Sequence, residues 1–142
     1  MRILAVDPGS KQVGLALSDP TGTIATALST LPASPPETLA ARIAAAAASH
    51  SAERIIVGLP LRLDGSRGPD AAAAERLAAG MRKASGLPVE LVDERLTTAA
   101  AERSLLEAGV RRGKRRAAID RVAAVLLLQG HLERLRRSNR AG

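Results

Sequence analysis

The sequence predicts an α/β fold in which a mixed five-stranded sheet is flanked by helices, in the order β-β-β-α-β-α-β-α-α. Three short apolar runs divided by turn residues open the chain, which is the pattern of an antiparallel meander. After residue 35, apolar runs alternate with longer helical stretches, as in strands joined by crossover helices. The chain has 142 residues, is 46% hydrophobic and contains no aromatic residue, so we expect one domain with an aliphatic core.

The predicted strands are short apolar runs followed by turn or breaker residues, and they cover residues 2–7, 13–18, 23–31, 54–57 and 89–92. The predicted helices start at Pro, Thr or Arg, and two of them stop at Gly; they cover residues 35–49, 69–86, 97–108 and 116–137. A basic loop is expected at 110–115. We expect a single domain over residues 1–138 and a short basic tail at 139–142.

The net charge of +7 is distributed unevenly along the chain. Residues 1–110 contain eleven basic and twelve acidic residues, whereas residues 111–142 contain ten basic and two acidic ones. A basic segment of this kind suits a polyanionic partner, and it favours nucleic acid over a membrane surface. The plainer interpretation, a solvated basic helix and tail, stays open at this point.

Several classes of protein and site are disfavoured. The absence of cysteine removes thiolate nucleophiles and sulfur-bound zinc. The apolar run after Met1-Arg2 is too short for a signal peptide, and no uncharged apolar run approaches the roughly 18 residues of a membrane span. We therefore expect a cytoplasmic protein with no membrane partner. His50 and His131 have no carboxylate or hydroxyl partner at a suggestive spacing, so both are interpreted as ordinary side chains.

Carboxylates are the remaining candidates for chemistry. Asp7 follows the first apolar strand, and Asp93 and Glu94 follow a late one. Because side chains alternate along a strand, only one of this adjacent pair is expected to face a shared site. Asp120 interrupts an apolar helical stretch, so it needs a hydrogen-bond partner or a cation. Each carboxylate also has a plainer interpretation. Asp7 is then a turn residue, Asp93 and Glu94 are charges near a helix N-terminus, and Asp120 is one partner of a salt bridge.

If these carboxylates converge, they form an all-oxygen site, which suits Mg²⁺ or Mn²⁺ better than zinc or copper. Such ions polarise a phosphate and lower the pKa of an attacking water, so no side-chain nucleophile is required. Carboxylates that met in this way would suit metal-assisted phosphoryl transfer.

Four segments carry recognisable motifs: Asp7-Pro8-Gly9-Ser10-Lys11 through Asp19, Gly58-Leu59-Pro60-Leu61 through Pro69, Asp93-Glu94-Arg95-Leu96-Thr97-Thr98, and Lys114-Arg115-Arg116 through Gln129. Together and in this order they resemble the YqgF family, also called RuvX, of pre-16S ribosomal RNA nucleases. The resemblance implies an RNase H-like fold related to RuvC-type resolvases, and a role in ribosome biogenesis through 5′-end maturation of 16S rRNA. It also implies that Asp7, Glu94 and Asp120 are the metal-binding catalytic residues. Glu94 is preferred over Asp93 on this match alone.

The sequence departs from the family pattern at three places. Gln12 stands where a basic residue is frequent, Arg62-Leu63 where Asn-Met is frequent, and Arg67 where an acidic residue is frequent. We expect basic side chains to bind the phosphates of the substrate; the candidates are Lys11, Arg62, Arg67, Arg95, Arg111, Arg112, Lys114, Arg115 and Arg116.

Alternatives remain at this stage. A Holliday junction resolvase would apply the same chemistry to branched DNA. A phosphate-binding lobe of the actin and sugar-kinase type would use the loop after Asp7, and a non-catalytic module would bind nucleic acid only. RNA is expected as the substrate rather than DNA. The choice between monomer and homodimer, and any assistance from Asp93 or Asp19, are left open.

Overall fold

The structure is a computed structural model that describes residues 1–62, 64–94 and 112–141; within the last range, residues 112–121 and 139–141 are described by their backbone alone. The strands are β1 (Ile3–Asp7), β2 (Gln12–Ser18), β3 (Ala25–Ala27), β4 (Leu31–Pro32), β5 (Arg54–Leu59) and β6 (Val89–Asp93). The helices are α1 (Pro36–Ser49), α2 (Pro69–Ser85) and α3 (Arg112–Ala141).

The sheet is mixed, as the sequence predicts. Its strand order is β3-β2-β1-β5-β6, with the short β4 paired to the beginning of β2. The meander β1-β2-β3 is antiparallel, whereas β1 pairs with β5, and β5 with β6, in parallel. The central strand β1 therefore joins an antiparallel half to a parallel half. This places the carboxyl ends of β1, β5 and β6 at one edge of the sheet.

The two faces of the sheet are covered by different helices. Side chains of β1 alternate, so that Leu4 and Val6 belong to a core that includes residues of α1 and α2. Ile3 and Ala5 face the other way and pack in a cluster with Leu127 and Leu128 of α3 and other apolar residues. The expected aliphatic core is therefore two aliphatic layers, one on each side of the sheet.

Helix α3 is fixed to the outer strand as well as to the sheet face. The amide of Gln129 accepts from the backbone N–H of Ala25 at 3.3 Å and donates to the carbonyl oxygen of Thr23 at 3.3 Å. This pair of bonds gives a structural role to the last residue of the fourth motif.

Two predicted boundaries are wrong. The expected strand over 23–31 is two short strands. One side-chain oxygen of Asp19, Oδ1, accepts from the backbone N–H groups of Thr23 and Ile24 and forms a turn, and the chain then leaves the sheet between β3 and β4. Pro32 has no N–H to extend this second pairing. The basic loop expected at 110–115 is helical over its described part, residues 112–115, since Lys and Arg are good helix formers and one Gly is tolerated.

Other boundaries agree closely with the sequence analysis. Helices α1 and α2 begin at or next to the predicted prolines, and α2 stops at Gly86, which has the left-handed conformation expected of a helix C-terminus. The predicted helix over 97–108 lies outside the described residues. The division into residues 1–138 and 139–142 stays a prediction. Within the described ranges, no helix has an apolar stretch long enough to cross a bilayer.

His131 gives a testable pH dependence of folding. It is buried between α3 and the sheet, its Nε2 lies 3.8 Å from Glu90 Oε2, and burial lowers its pKa. Glu90 opposes this shift, whereas Arg134 and Arg54 reinforce it. The unfolded chain therefore takes up a proton first as pH falls below about 6.5, and the free energy of unfolding falls with it.

We expect urea denaturation at pH 7.5 and pH 5 to show a smaller loss of stability for His131→Leu than for the wild type. Each protein is compared with itself at the two pH values, so the effects of the other titrating groups are common to both proteins and largely cancel. An equal loss in both proteins would contradict a lowered pKa at this position.

Candidate active site

Two of the three predicted carboxylates meet at the carboxyl edge of the parallel strands. Asp7 is the last residue of β1, and Glu94 directly follows β6. The strand between them is β5, whose Gly58 pairs with Val92. The backbone N–H of Glu94 donates to the carbonyl oxygen of Leu59 at 3.4 Å, which keeps the chain beside β5 after β6 has ended.

Strand alternation explains why Glu94 rather than Asp93 joins Asp7. Ala5 and Val92 belong to the cluster on the α3 face, and Asp7 and Glu94 each follow two residues later. Asp93 points away from that face and is exposed. The sequence analysis chose Glu94 on family resemblance alone, and the register of the sheet now supplies a physical reason.

Gly58 provides the space that the two carboxylates occupy. A Cβ atom at this position would overlap Glu94 Oε2 and would lie 3.1 Å from Glu94 Cδ and 3.5 Å from Asp7 Oδ1. Residue 58 must therefore lack a side chain for both acids to lie where they do. The sequence analysis placed this residue at the start of the second motif but gave it no role of its own; its position at the end of a buried strand, before Leu59-Pro60, was the available signal.

The pair is electrostatically unfavourable without a cation or a proton. Glu94 Oε2 is buried and has no hydrogen-bond partner among the described residues. Burial first, then a hydrogen bond and charge repulsion from Asp7, and finally the charge of Asp93, raise the pKa of Glu94 to about 9. Near neutral pH, the two carboxylates are therefore both ionised only when a cation compensates them.

These properties fit a hard divalent ion. The donors are carboxylate oxygens, one is buried and unpaired, and Gly58 leaves room beside them. Within residues 1–62, 64–94 and 122–138, where side chains are described, no three metal-ligating residues cluster. A complete site would thus need a further ligand or water.

Asp120 lies on α3, but its side chain is outside the described residues. Its backbone position is one helical turn before Ala124, which is fully buried in the α3 cluster together with Ala5 of β1. Position 120 is therefore on the helix face that covers the sheet. Its role as a ligand stays a prediction.

The predicted phosphate contacts have different outcomes. Lys11 is exposed in the turn that follows Asp7. Arg62 is exposed and its guanidinium packs close to Gly68, where a Cβ would lie 3.0 Å from Nε. Arg67 is paired with Glu75, its Nη1 lying 3.2 Å from Oε1, so a phosphate would have to compete with that carboxylate.

The remaining basic candidates cannot be placed as contacts. Arg95 and Arg111 lie outside the described residues. Four others occur in the first turns of α3, where the backbone alone is described; they are Arg112, Lys114, Arg115 and Arg116.

A cleft of about 830 Å³ adjoins the carboxylate pair. At one end it is lined by Pro8, Gly9 and Ser10 of the turn after β1, and by Pro60 and Glu94. It continues between α1 and α2, on the opposite side of the sheet from α3. The sequence analysis did not predict this cleft, because its walls come from segments that are distant in the chain.

The fold and the paired acids define the class of the protein. A solved RuvC from T. thermophilus in complex with a Holliday junction substrate has a TM-score of 0.57 and 18% identity, and the match covers 89% of this chain and 91% of that one. This likeness establishes the RNase H-like fold that the sequence predicts. The chain is thus an RNase H-like protein with two acidic side chains brought together at the carboxyl edge of its sheet.

The family follows from the sequence comparisons. Residues 1–134 match the family model RuvX, described as Holliday junction resolvase. A Moorella thermoacetica protein is 46% identical over 95% of this chain and 96% of its own length, and a Chloroflexus aggregans protein is 44% identical over 92% of each; both are named as pre-16S rRNA nucleases. The chain belongs to the RuvX family and is a nuclease, a hydrolase of nucleic acid. This favours the nuclease over the phosphate-binding lobe and the non-catalytic module.

Proposed function

We propose that this nuclease hydrolyses phosphodiester bonds in the precursor of 16S ribosomal RNA, with Mg²⁺ or Mn²⁺ held by Asp7, Glu94 and Asp120. The observation that carries the proposal is the contact of Asp7 and Glu94 around Gly58, with a buried carboxylate oxygen that has no partner among the described residues. The names of the relatives that span nearly the whole chain support the RNA substrate.

In this proposal the side chains have separate tasks. A bound divalent ion supplies an activated water and compensates charge on the phosphate. Asp7, on the central strand, fixes the position of the site relative to the sheet, and Glu94 gives up its proton when the cation binds. Lys11 is exposed in the turn that follows Asp7 and orients the phosphate backbone without reading its sequence.

A Holliday junction resolvase is the second candidate function. It is favoured by the description of the matching family and by the fold of RuvC. Both functions use the same carboxylate site, so the site residues do not distinguish one function from the other. The two functions differ in the nucleic acid that is cleaved.

The test compares a structured RNA that contains the 5′ end of the 16S precursor with a four-way DNA junction, in Mg²⁺, Mn²⁺ or EDTA. We expect cleavage of the RNA in at least one of the two ions, no cleavage in EDTA, and loss of cleavage in Asp120→Asn. Cleavage confined to the junction would support the resolvase. Cleavage that persists in EDTA would contradict metal dependence.

A further inference from the structure

The cleft between α1 and α2 is larger than the carboxylate site requires. Its volume of about 830 Å³ falls within the usual range of small-ligand sites, roughly 300–1,000 Å³. It begins at Glu94 and at the turn that follows Asp7, and it extends to Leu39 and Leu77 in the interior of the two helices. A ligand in the cleft would therefore touch the candidate active site at one end.

The walls of the cleft are mostly apolar, and the described charged residues in its lining are predominantly acidic. Leu39, Ala74 and Leu77 are buried or half-buried along its length. The charged lining residues in the described part of the chain are Glu37, Asp70, Arg76 and Glu94. Glu37 and Asp70 are exposed carboxylates at the cleft and disfavour a phosphate chain there, although Arg76 partly offsets their charge. A neutral group with hydrogen-bond donors suits these walls better than the polyanionic backbone does.

The helix ends reinforce this selection. Both α1 and α2 begin at the cleft with a proline in the first turn, and each has one carboxylate there, Glu37 or Asp70. The negative charges of these carboxylates offset the positive ends of the helix dipoles, which would otherwise attract phosphate. Carboxylate oxygens accept hydrogen bonds, and the exocyclic amino groups of bases and the 2′-hydroxyl of ribose can donate them.

We propose that this cleft binds the base and sugar of one unpaired nucleotide next to the cleaved phosphate, turned out of the strand and away from the α3 face. The inference rests on the proposed function, since it assumes a nucleic-acid strand at Asp7 and Glu94. With no Phe, Tyr or Trp in the chain, the base packs against proline and aliphatic side chains such as Pro8, Pro60 and Leu77. The site selects an unpaired nucleotide at the cut and does not select the backbone.

A matched pair of substitutions on α2 tests this assignment. Ala73 is exposed and lines the cleft, so Ala73→Leu narrows the cleft without entering the core. Ala79 is exposed on the same helix and does not line the cleft, so Ala79→Leu is the control for helix stability and surface hydrophobicity. Each variant is assayed on an RNA with an unpaired nucleotide at the cut, and on the same RNA with an abasic residue there.

We expect Ala73→Leu to reduce kcat/KM about tenfold on the RNA that has the base, and to leave cleavage of the abasic RNA within twofold of the wild type. Ala79→Leu should match the wild type on both. Equal effects of the two substitutions, or equal wild-type cleavage of the two RNAs, would overturn the proposal.

A binding experiment separates this inference from the nuclease function. An RNA with 2-aminopurine at the unpaired position is titrated with wild-type protein in EDTA, where no cleavage is expected. A fluorescence change that Ala73→Leu reduces and Ala79→Leu preserves supports the cleft, even if the RNA is never cut in metal. Cleavage in metal without any difference between the variants in either assay refutes the cleft and leaves the nuclease function standing.

Discussion

Asp7→Asn is expected to lower kcat/KM for metal-dependent cleavage by about a thousandfold or more. A metal ion at a phosphoryl oxygen supplies several kcal/mol to the transition state, and each ~1.4 kcal/mol corresponds to a tenfold change in rate. Asp7 touches Glu94 and lies at the end of the central strand, and among the side chains that the structure describes no third acid clusters with the pair to take its place. Asn retains the shape of the side chain but not its charge, and the fold should be preserved.

Asp93→Asn is the matched control for this substitution. It removes one carboxylate next to Glu94 in sequence, on an exposed side chain that strand alternation directs away from Asp7. We expect its kcat/KM to stay within about threefold of the wild type, since exposed charges interact weakly through water. If Asp93→Asn lost activity as severely as Asp7→Asn, the assignment of Glu94 as the inward-facing acid would be wrong.

Asp7→Asn also changes how the stability of the metal-free protein depends on pH, through its contact with Glu94. Glu94 has a pKa of about 9 in the folded protein and an ordinary value of 4.5 when unfolded. Its contribution to stability is therefore complete below pH 4.5 and is lost as pH rises towards 9. In EDTA, we expect the free energy of unfolding to fall over this window, and to fall less steeply in Asp7→Asn. A slope that Asp7→Asn leaves unaltered would show that Asp7 does not act on Glu94.

Gly58→Ala is expected to inactivate the enzyme while leaving it folded. The new methyl group would overlap the Glu94 carboxylate. The carboxylate must move, because β5 is held by parallel pairing with β1 on one side and β6 on the other. Misplacement of a catalytic group by about 1 Å can cost roughly a hundredfold in rate. Because the displaced group is the end of a flexible side chain, we expect Tm to change by only a few degrees.

The appropriate control is a glycine with no neighbour at its Cβ position. A Cβ at Gly86 meets nothing within 4 Å, although its φ of 70° makes the substitution mildly strained. Gly86→Ala should therefore lower Tm and leave kcat/KM unchanged, which is the reverse of the pattern expected for Gly58→Ala. Full activity of Gly58→Ala would show that the two acids need not lie as close as they do here.

The sequence predicted those parts of the fold that depend on local chemistry. Proline marks the beginning of α1 and α2, and Gly86 marks the end of α2, because backbone geometry restricts these residues to such positions. The strand expected at 23–31 was wrong because the local turn that Asp19 forms with Thr23 and Ile24 was not recognised, and because the pairing of β4 with β2 joins residues more than ten positions apart.

Prediction of the candidate site was limited in the same way. The acids were recognised because carboxylates after apolar strands are visible in a sequence. The role of Gly58 was not, since it depends on the register of three strands. The ion pair of Arg67 with Glu75 was also missed; it is a contact between a loop and a helix that no local pattern encodes, and it makes Glu75 compete with a phosphate for this predicted ligand.

Among the elements that the structure describes, α3 alone covers one face of the sheet, and this has a consequence for damaged chains. A polypeptide cut before α3 would leave Ile3, Ala5 and Ile56 bare, and a contiguous apolar surface of this kind promotes aggregation. Asp7, Gly58 and Glu94 lie on this same face. We therefore expect a fragment that lacks α3 to become inactive and insoluble in one event, so proteolysis before α3 would not release a smaller active nuclease.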